Sequence, residues 1–218
     1  MRLEANIPGL VITIAQQKGG AGKTTLAIHL ALAWAASGKR VAVVDIDPQA
    51  SLSNWFKLRQ QLGKANIPIE VQAVSGWRVA GEVERQARAR DIVLVDSPPH
   101  AETESRIAVR TAKLVLVPVQ PSPIDLWATK PTLELARAEK VPVLLVLNRV
   151  PARANLTGIV LEAFNTLDVP LAETQIGNRV ALAAAINEGQ GILEYEPSST
   201  AAQEIKALAA EVLRRCGG

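Results

Sequence analysis

Only one cysteine, Cys216, occurs in 218 residues, so no disulfide can form within the chain. Such a chain reads as cytosolic. Aromatic residues are scarce, with four Trp, two Phe and one Tyr. That argues against a binder of single-stranded nucleic acid, which stacks bases on exposed rings. No apolar run approaches the length of about 18 residues that marks a membrane-spanning helix. Residues 1–8 carry both charge signs and no signal-peptide core. A strong charge imbalance is also missing, since 24 Lys and Arg face 21 Asp and Glu. Any contact with a polyanion must therefore come from a local patch. What is plentiful is apolar surface: 48% of residues are hydrophobic and 21% charged, which excludes a disordered tail or a collagen-like fibre.

Five short apolar runs stand out, at 10–15, 41–44, 92–95, 114–119 and 141–147. They are rich in Val, Ile and Leu and do not alternate with polar residues. Strands buried on both faces read this way, as in a parallel sheet covered by helices. Helices are predicted between and after them, at 23–37, 51–59, 78–90, 102–112, 124–140, 155–167, 180–188 and 198–215. Gly38 is placed to end the first, and Pro131 predicts a kink or break in the fifth. The alternation predicts an α/β doubly wound, mainly parallel sheet flanked by helices, in one domain spanning 1–218. Ligands in such sheets sit at the carboxyl ends of the strands.

The first run is followed by Gln16-Gln17-Lys18-Gly19-Gly20-Ala21-Gly22-Lys23-Thr24-Thr25 and then by a helix. A glycine loop between strand and helix lets backbone N–H groups curl around phosphate oxygens, and the helix N-terminus adds its dipole. Lys23 would reach the β- and γ-phosphates of ATP, and the Thr24 hydroxyl would ligate Mg²⁺. The general phosphate-loop pattern wants glycine where Gln17 stands; an extra lysine, Lys18, precedes a Gly-Gly pair instead. This form resembles the deviant Walker A motif of the ParA/MinD family of ATPases. The resemblance implies a P-loop fold and a homodimer in which Lys18 reaches the partner's nucleotide. A solvated loop lysine is the plainer alternative.

The second run ends Asp45-Ile46-Asp47-Pro48-Gln49, with two acids on the same side of an extended backbone. It resembles the Asp-x-Asp-Pro-Gln segment of that family. The resemblance implies that Asp47 positions or activates the attacking water and that Asp45 supports the magnesium shell or the loop geometry. The alternatives are an N-cap for helix 51–59 and a structural acceptor, respectively. The third run ends in Asp96-Ser97-Pro98-Pro99. An apolar strand closing in Asp is a Walker B pattern, whose carboxylate holds Mg²⁺. Beyond the fifth run, Asn148 and Arg149 stand where the family contacts adenine; an Asn that merely ends the strand is the alternative. The proline-rich loop 118–125 resembles the one lying against nucleotide and partner in short, ParF-like members, which assigns Pro121 and Asp125 there.

The resemblance runs from Val11 to about Arg149 and returns weakly beyond. No N-terminal helix-turn-helix is seen, as in the short ParA group. It implies an ATP-driven sandwich dimer on nonspecific DNA, nucleoid-associated when ATP is bound. A ParB-like or other partner would stimulate hydrolysis and so position a plasmid, chromosome or other cargo. Residues 149–218 hold six basic and eight acidic side chains, so Arg153, Arg179, Arg214 and Arg215 are the DNA-binding candidates, against a reading as solvated surface arginines. Arg85, Arg88 and Arg90 beside Glu82 and Glu84 predict a salt-bridged solvated face. The last helix lacks a long apolar face, so no membrane partner is expected. The alternative function is a non-DNA regulator, such as a cellulose-synthesis accessory protein, or a cobyrinate amidase-like enzyme on the same fold.

Overall fold

The structure is a computed structural model that describes residues 9–99, 102–152, 162–164 and 166–217. Six strands form one sheet: β1 (Leu10–Ile14), β2 (Val41–Asp45), β3 (Glu70–Ala73), β4 (Ile92–Asp96), β5 (Leu114–Val119) and β6 (Val143–Leu147). Their order is β3-β2-β4-β1-β5-β6, and every neighbouring pair is parallel. The five apolar runs are buried because helices cover the side chains that leave each strand toward both faces. Ile12 and Ile14 pack against α1 (Lys23–Ala36) and α8 (Thr200–Arg215). On the opposite face the Thr13 hydroxyl donates to the Ala108 carbonyl on α4 (Glu102–Thr111) at 2.8 Å. That second face also carries α3 (Arg78–Ala89) and α5 (Pro123–Ala138).

Helix α1 is apolar nearly all round because it lies between the sheet and α8, where the Trp34 indole N–H donates to the Ala209 carbonyl at 3.0 Å. Gly38, at φ 87°, follows its C-terminus. His29 ties α1 to the far half of the chain. Its Nε2 donates to the Leu182 carbonyl in α6 (Val180–Asn187), and its Nδ1 accepts from the N–H of Ile192, the first residue of α7 (Ile192–Tyr195). These partners select the neutral Nε2–H tautomer.

Two departures from the sequence reading have physical causes, and one alternative is removed. Strand β3 is absent from the apolar runs because it is an edge strand, half-buried and bonded to β2 alone. Its signal is the alternation of Ile67, Ile69 and Val71, which pack partly against the core. Helix α5 runs through Pro131 without a break. Its flanks are clamped to the phosphate loop by Thr129 and Thr132. Helix α2 (Ser51–Gln61) is capped by Ala50 in left-handed geometry, not by Asp47. The expected helix 155–167 lies mostly outside the described residues, as does Arg153.

The connection after β1 crosses to one face and that after β4 to the other. The two strands are adjacent, in the register Ile14 to Asp96, and Asp45 of β2 is level with Asp96 on its other side. The phosphate loop, Asp96 and Asp45 thus meet in the crevice where a doubly wound sheet places ligands.

Candidate nucleotide site

Helix α1 begins at Gly22, φ 90°, with no side-chain cap, so its first-turn N–H groups, those of Lys23, Thr24 and Thr25, face the loop. A side chain at Gly22 is excluded twice: by that φ, and because a Cβ would lie 2.5 Å from the Asn148 amide nitrogen. That amide donates to the Ala21 carbonyl at 2.8 Å, and the Asn148 Oδ1 accepts from the Arg149 N–H. Asn148 therefore braces the loop from β6. Gln120 braces it from β5, donating to the Gly20 carbonyl at 3.3 Å; Pro121 follows it in the same turn. Gly19, beside Gly20, completes the stretch between the two lysines.

Lys23 is buried, and its ammonium donates to the Gln16 carbonyl at 3.0 Å. Burial lowers its pKa, while Asp96 and Asp47 oppose that shift. Asp96 is enclosed: Oδ2 accepts from the Thr24 hydroxyl at 2.7 Å, and Oδ1 is buried without a hydrogen-bond partner. Burial pushes this carboxyl up to about 7, with the neighbouring Asp45 adding to the rise and the Thr24 bond opposing it. An unpartnered buried carboxylate oxygen beside a threonine hydroxyl fits a hard divalent cation, and these residues fit Mg²⁺.

Asp45 is buried, and both its oxygens are engaged. Oδ2 accepts from the Ser53 N–H and hydroxyl at 2.9 and 2.6 Å, and Oδ1 accepts from the Asp47 N–H at 3.2 Å. Of the two roles expected for Asp45, these bonds serve the loop geometry, pinning the Asp47 turn to α2. Asp47 stays half-buried and accepts from the Gln49 N–H at 2.9 Å.

The least anticipated contact joins two candidates from separate motifs. Lys18 does not point into solvent; its ammonium lies 2.8 Å from a carboxylate oxygen of Asp125, in the first turn of α5. Ser122 caps that helix and donates its hydroxyl to the other Asp125 oxygen. Gln16 Nε2 donates to the Thr129 hydroxyl at 3.1 Å, and the Gln17 N–H to that of Thr132 at 3.3 Å. Gln16, Gln120, Ser53, Thr129 and Thr132 are additions that sequence reasoning misses. For Gln16, a polar residue directly after a buried strand is the available signal.

The C-terminal arginines lie elsewhere, each with a carboxylate. Arg179 pairs with Glu204 at 2.6 Å, Arg214 with Glu173 at 4.0 Å and Arg215 with Glu211 at 3.1 Å. Arg85 and Arg88 pair with Glu82 and Glu84, and Arg90 with Glu70.

Comparison with known proteins gives the family and the fold. Residues 12–192 match the profile of the CobQ/CobB/MinD/ParA nucleotide binding domain. The chromosome-partitioning ATPase Soj of Thermus thermophilus is 33% identical over 94% of this chain and 95% of its own. The maintenance of carboxysome distribution protein A of Halothiobacillus neapolitanus is 28% identical over 96% and 99%. Among solved structures, the cell division ATPase MinD of Pyrococcus furiosus superposes with a TM-score of 0.77 at 23% identity, over 95% of this chain and 99% of that one. An ATP complex of a Cyanothece McdA variant gives 0.74 at 18%, over 92% and 96%. At those identities the likeness establishes the fold. No helix among the described residues is long and apolar enough to cross a membrane.

Proposed function

The chain belongs to the CobQ/CobB/MinD/ParA nucleotide-binding domain family, and from that premise we propose that it is a Mg²⁺-dependent ATPase of ParA type. ATP drives formation of a homodimer that holds DNA without sequence preference. A partner protein stimulates hydrolysis and releases it, and the cycle positions a cargo. The relatives described above are named for chromosomes and carboxysomes, and either kind of cargo suits the reading.

One observation carries the proposal most: the buried Asp96, half-satisfied by Thr24, next to an uncapped helix N-terminus and a buried lysine. The N–H groups of residues 19–25 and Lys23 would bind the phosphates. Thr24 and Asp96 would hold Mg²⁺, whose charge would offset that growing on the phosphate oxygens. Asp47, on a turn fixed by Asp45 and Ser53, would orient the attacking water. Asn148 and Arg149 flank the loop from β6, on the side expected to meet the base. Lys18 serves its dimer role only after leaving Asp125, so pairing of subunits and release of this ion pair are one event.

The test combines nucleotide titration with light scattering. Lys23→Ala is expected to weaken ATP binding at least about a hundredfold, since a buried charged donor is lost. Asp47→Ala is expected to bind ATP and accumulate as dimer. Unchanged ATP affinity in Lys23→Ala would overturn the site.

A further inference from the structure

Because all six strands are parallel, their amino ends share one edge, opposite the nucleotide. The residues that lead into the strands there are conspicuously basic. Lys39 precedes β2, Lys113 precedes β5, and Lys140 leads into β6. Arg110 and Arg137 lie in the last turns of α4 and α5, which run into β5 and β6. All five are exposed, and among the described residues none has an ion-pair partner. The other charges near this edge largely cancel: Arg40 pairs with Asp91, Arg90 with Glu70, and Glu139 with Arg106. Asp168 lies beside Arg137 and offsets part of its charge.

We infer that this edge is the surface that grips the sugar-phosphate backbone of double-stranded DNA. The inference rests on the DNA-binding reading above and moves its contact away from the C-terminal arginines. From β2 to β6 the row crosses four inter-strand steps, or about 19 Å at the usual strand spacing. A duplex presents one phosphate per ~1.7 Å of axis, so the row spans enough charge to engage every cation. No base-reading device accompanies it; the cations sit at turns and helix ends, which contact backbone and not groove edges. An anionic membrane fits less well. Of the large exposed apolar side chains, Trp77 lies on none of the segments that carry the row, and Ile124 and Trp127 lie at the start of α5, the end opposite Arg137. Arg179, Arg214 and Arg215 already have carboxylate partners. Since the row faces away from the nucleotide, each subunit of the sandwich dimer carries its own copy on the side opposite its partner. The dimer thus grips two separate stretches of duplex, and the gain from pairing requires DNA long or dense enough to reach both.

The test measures binding of the full-length protein, with Mg·ATP, to short duplexes of two unrelated sequences as salt is raised. With about five phosphate contacts per subunit, affinity should fall about 500-fold per subunit between 50 and 200 mM salt, alike for both sequences. The triple variant Lys113→Ala/Arg137→Ala/Lys140→Ala leaves about two contacts and should fall only about 12-fold. It should also bind more weakly at low salt while keeping ATP affinity and dimer formation. Arg179→Ala/Arg214→Ala/Arg215→Ala should behave as wild type. If the first triple variant binds DNA like wild type, or the second is the one that loses it, this surface is wrong and the functional reading stands. If wild type ignores both duplexes at low salt, the DNA reading itself falls. Retention on phosphatidylglycerol vesicles in preference to DNA, abolished in the first variant, would also overturn the proposal and make the partner a bilayer.

Discussion

The two edges of this sheet are made by the same strands and carry opposite chemistry. At the carboxyl edge, Lys23, Asp45, Asp96 and Asp125 are buried and bonded at fixed distances. At the amino edge, Lys39, Lys113 and Lys140 stand in water. A buried charge is held by particular neighbours, so altering one perturbs the rest. A solvated charge acts through the summed field and is individually replaceable. The molecule thus separates a precise site from a diffuse one by about the length of a five-residue strand.

The largest expected effect tests whether burial, and not the edge as such, makes the difference. Arg59, in the last turn of α2, is fully buried and bidentate to Glu194, whereas Arg40 is bidentate to Asp91 with 63% of its side chain exposed. Arg59→Ala should cost about 3–5 kcal/mol in urea denaturation, because Glu194 is left charged and enclosed. Arg40→Ala should leave stability almost unchanged, because water and salt screen an exposed pair. Equal losses would dissolve the contrast.

The next effect concerns His29, whose pKa burial holds down at about 4 against 6.5 in an ordinary setting. Between those values the unfolded chain takes up a proton that the folded chain refuses. This histidine's contribution is therefore complete above pH 6.5 and is lost as pH falls toward 4, by about 3 kcal/mol in all. Asp96, raised from 3.8 to about 7, acts with the opposite sign across the whole of that window. The measurement is accordingly the difference in pH dependence between wild type and His29→Gln; identical profiles would refute the assignment.

The smallest effect is at the junction of subunit pairing and the phosphate loop. Asp125→Asn removes the charge that restrains Lys18, a side chain about one-third exposed. Association with Mg·ATP should strengthen by up to about fivefold, the scale of a partly solvated ion pair, as read by sedimentation. Weaker association would mean that Asp125 aids the dimer and does not hold it back.

Which of these features can be read from the chain follows from how local each one is. The phosphate loop, Asp96 and the five apolar strands are legible because their signals occupy consecutive residues: glycines and Lys23-Thr24 after one apolar run, Asp96 closing another. Strand β3 escapes because half of it faces water and its composition is polar. The pairing of Lys18 with Asp125 is invisible for another reason. Both residues carry a signal of their own, but 107 positions separate them, and nothing in either segment encodes the distance between them. The Asp45 carboxylate likewise needs Ser53 to be seen on a folded α2 before its place in the loop is clear.

Three consecutive loop residues, Gln16, Gln17 and Lys18, are fastened to Thr129, Thr132 and Asp125 of a single helix. Those anchors are spaced three and four apart, so they form one stripe on α5. The mouth of the phosphate loop is thus hung from one helix at three points, so a surface that shifted α5 would reposition Gln16, Gln17 and Lys18 together.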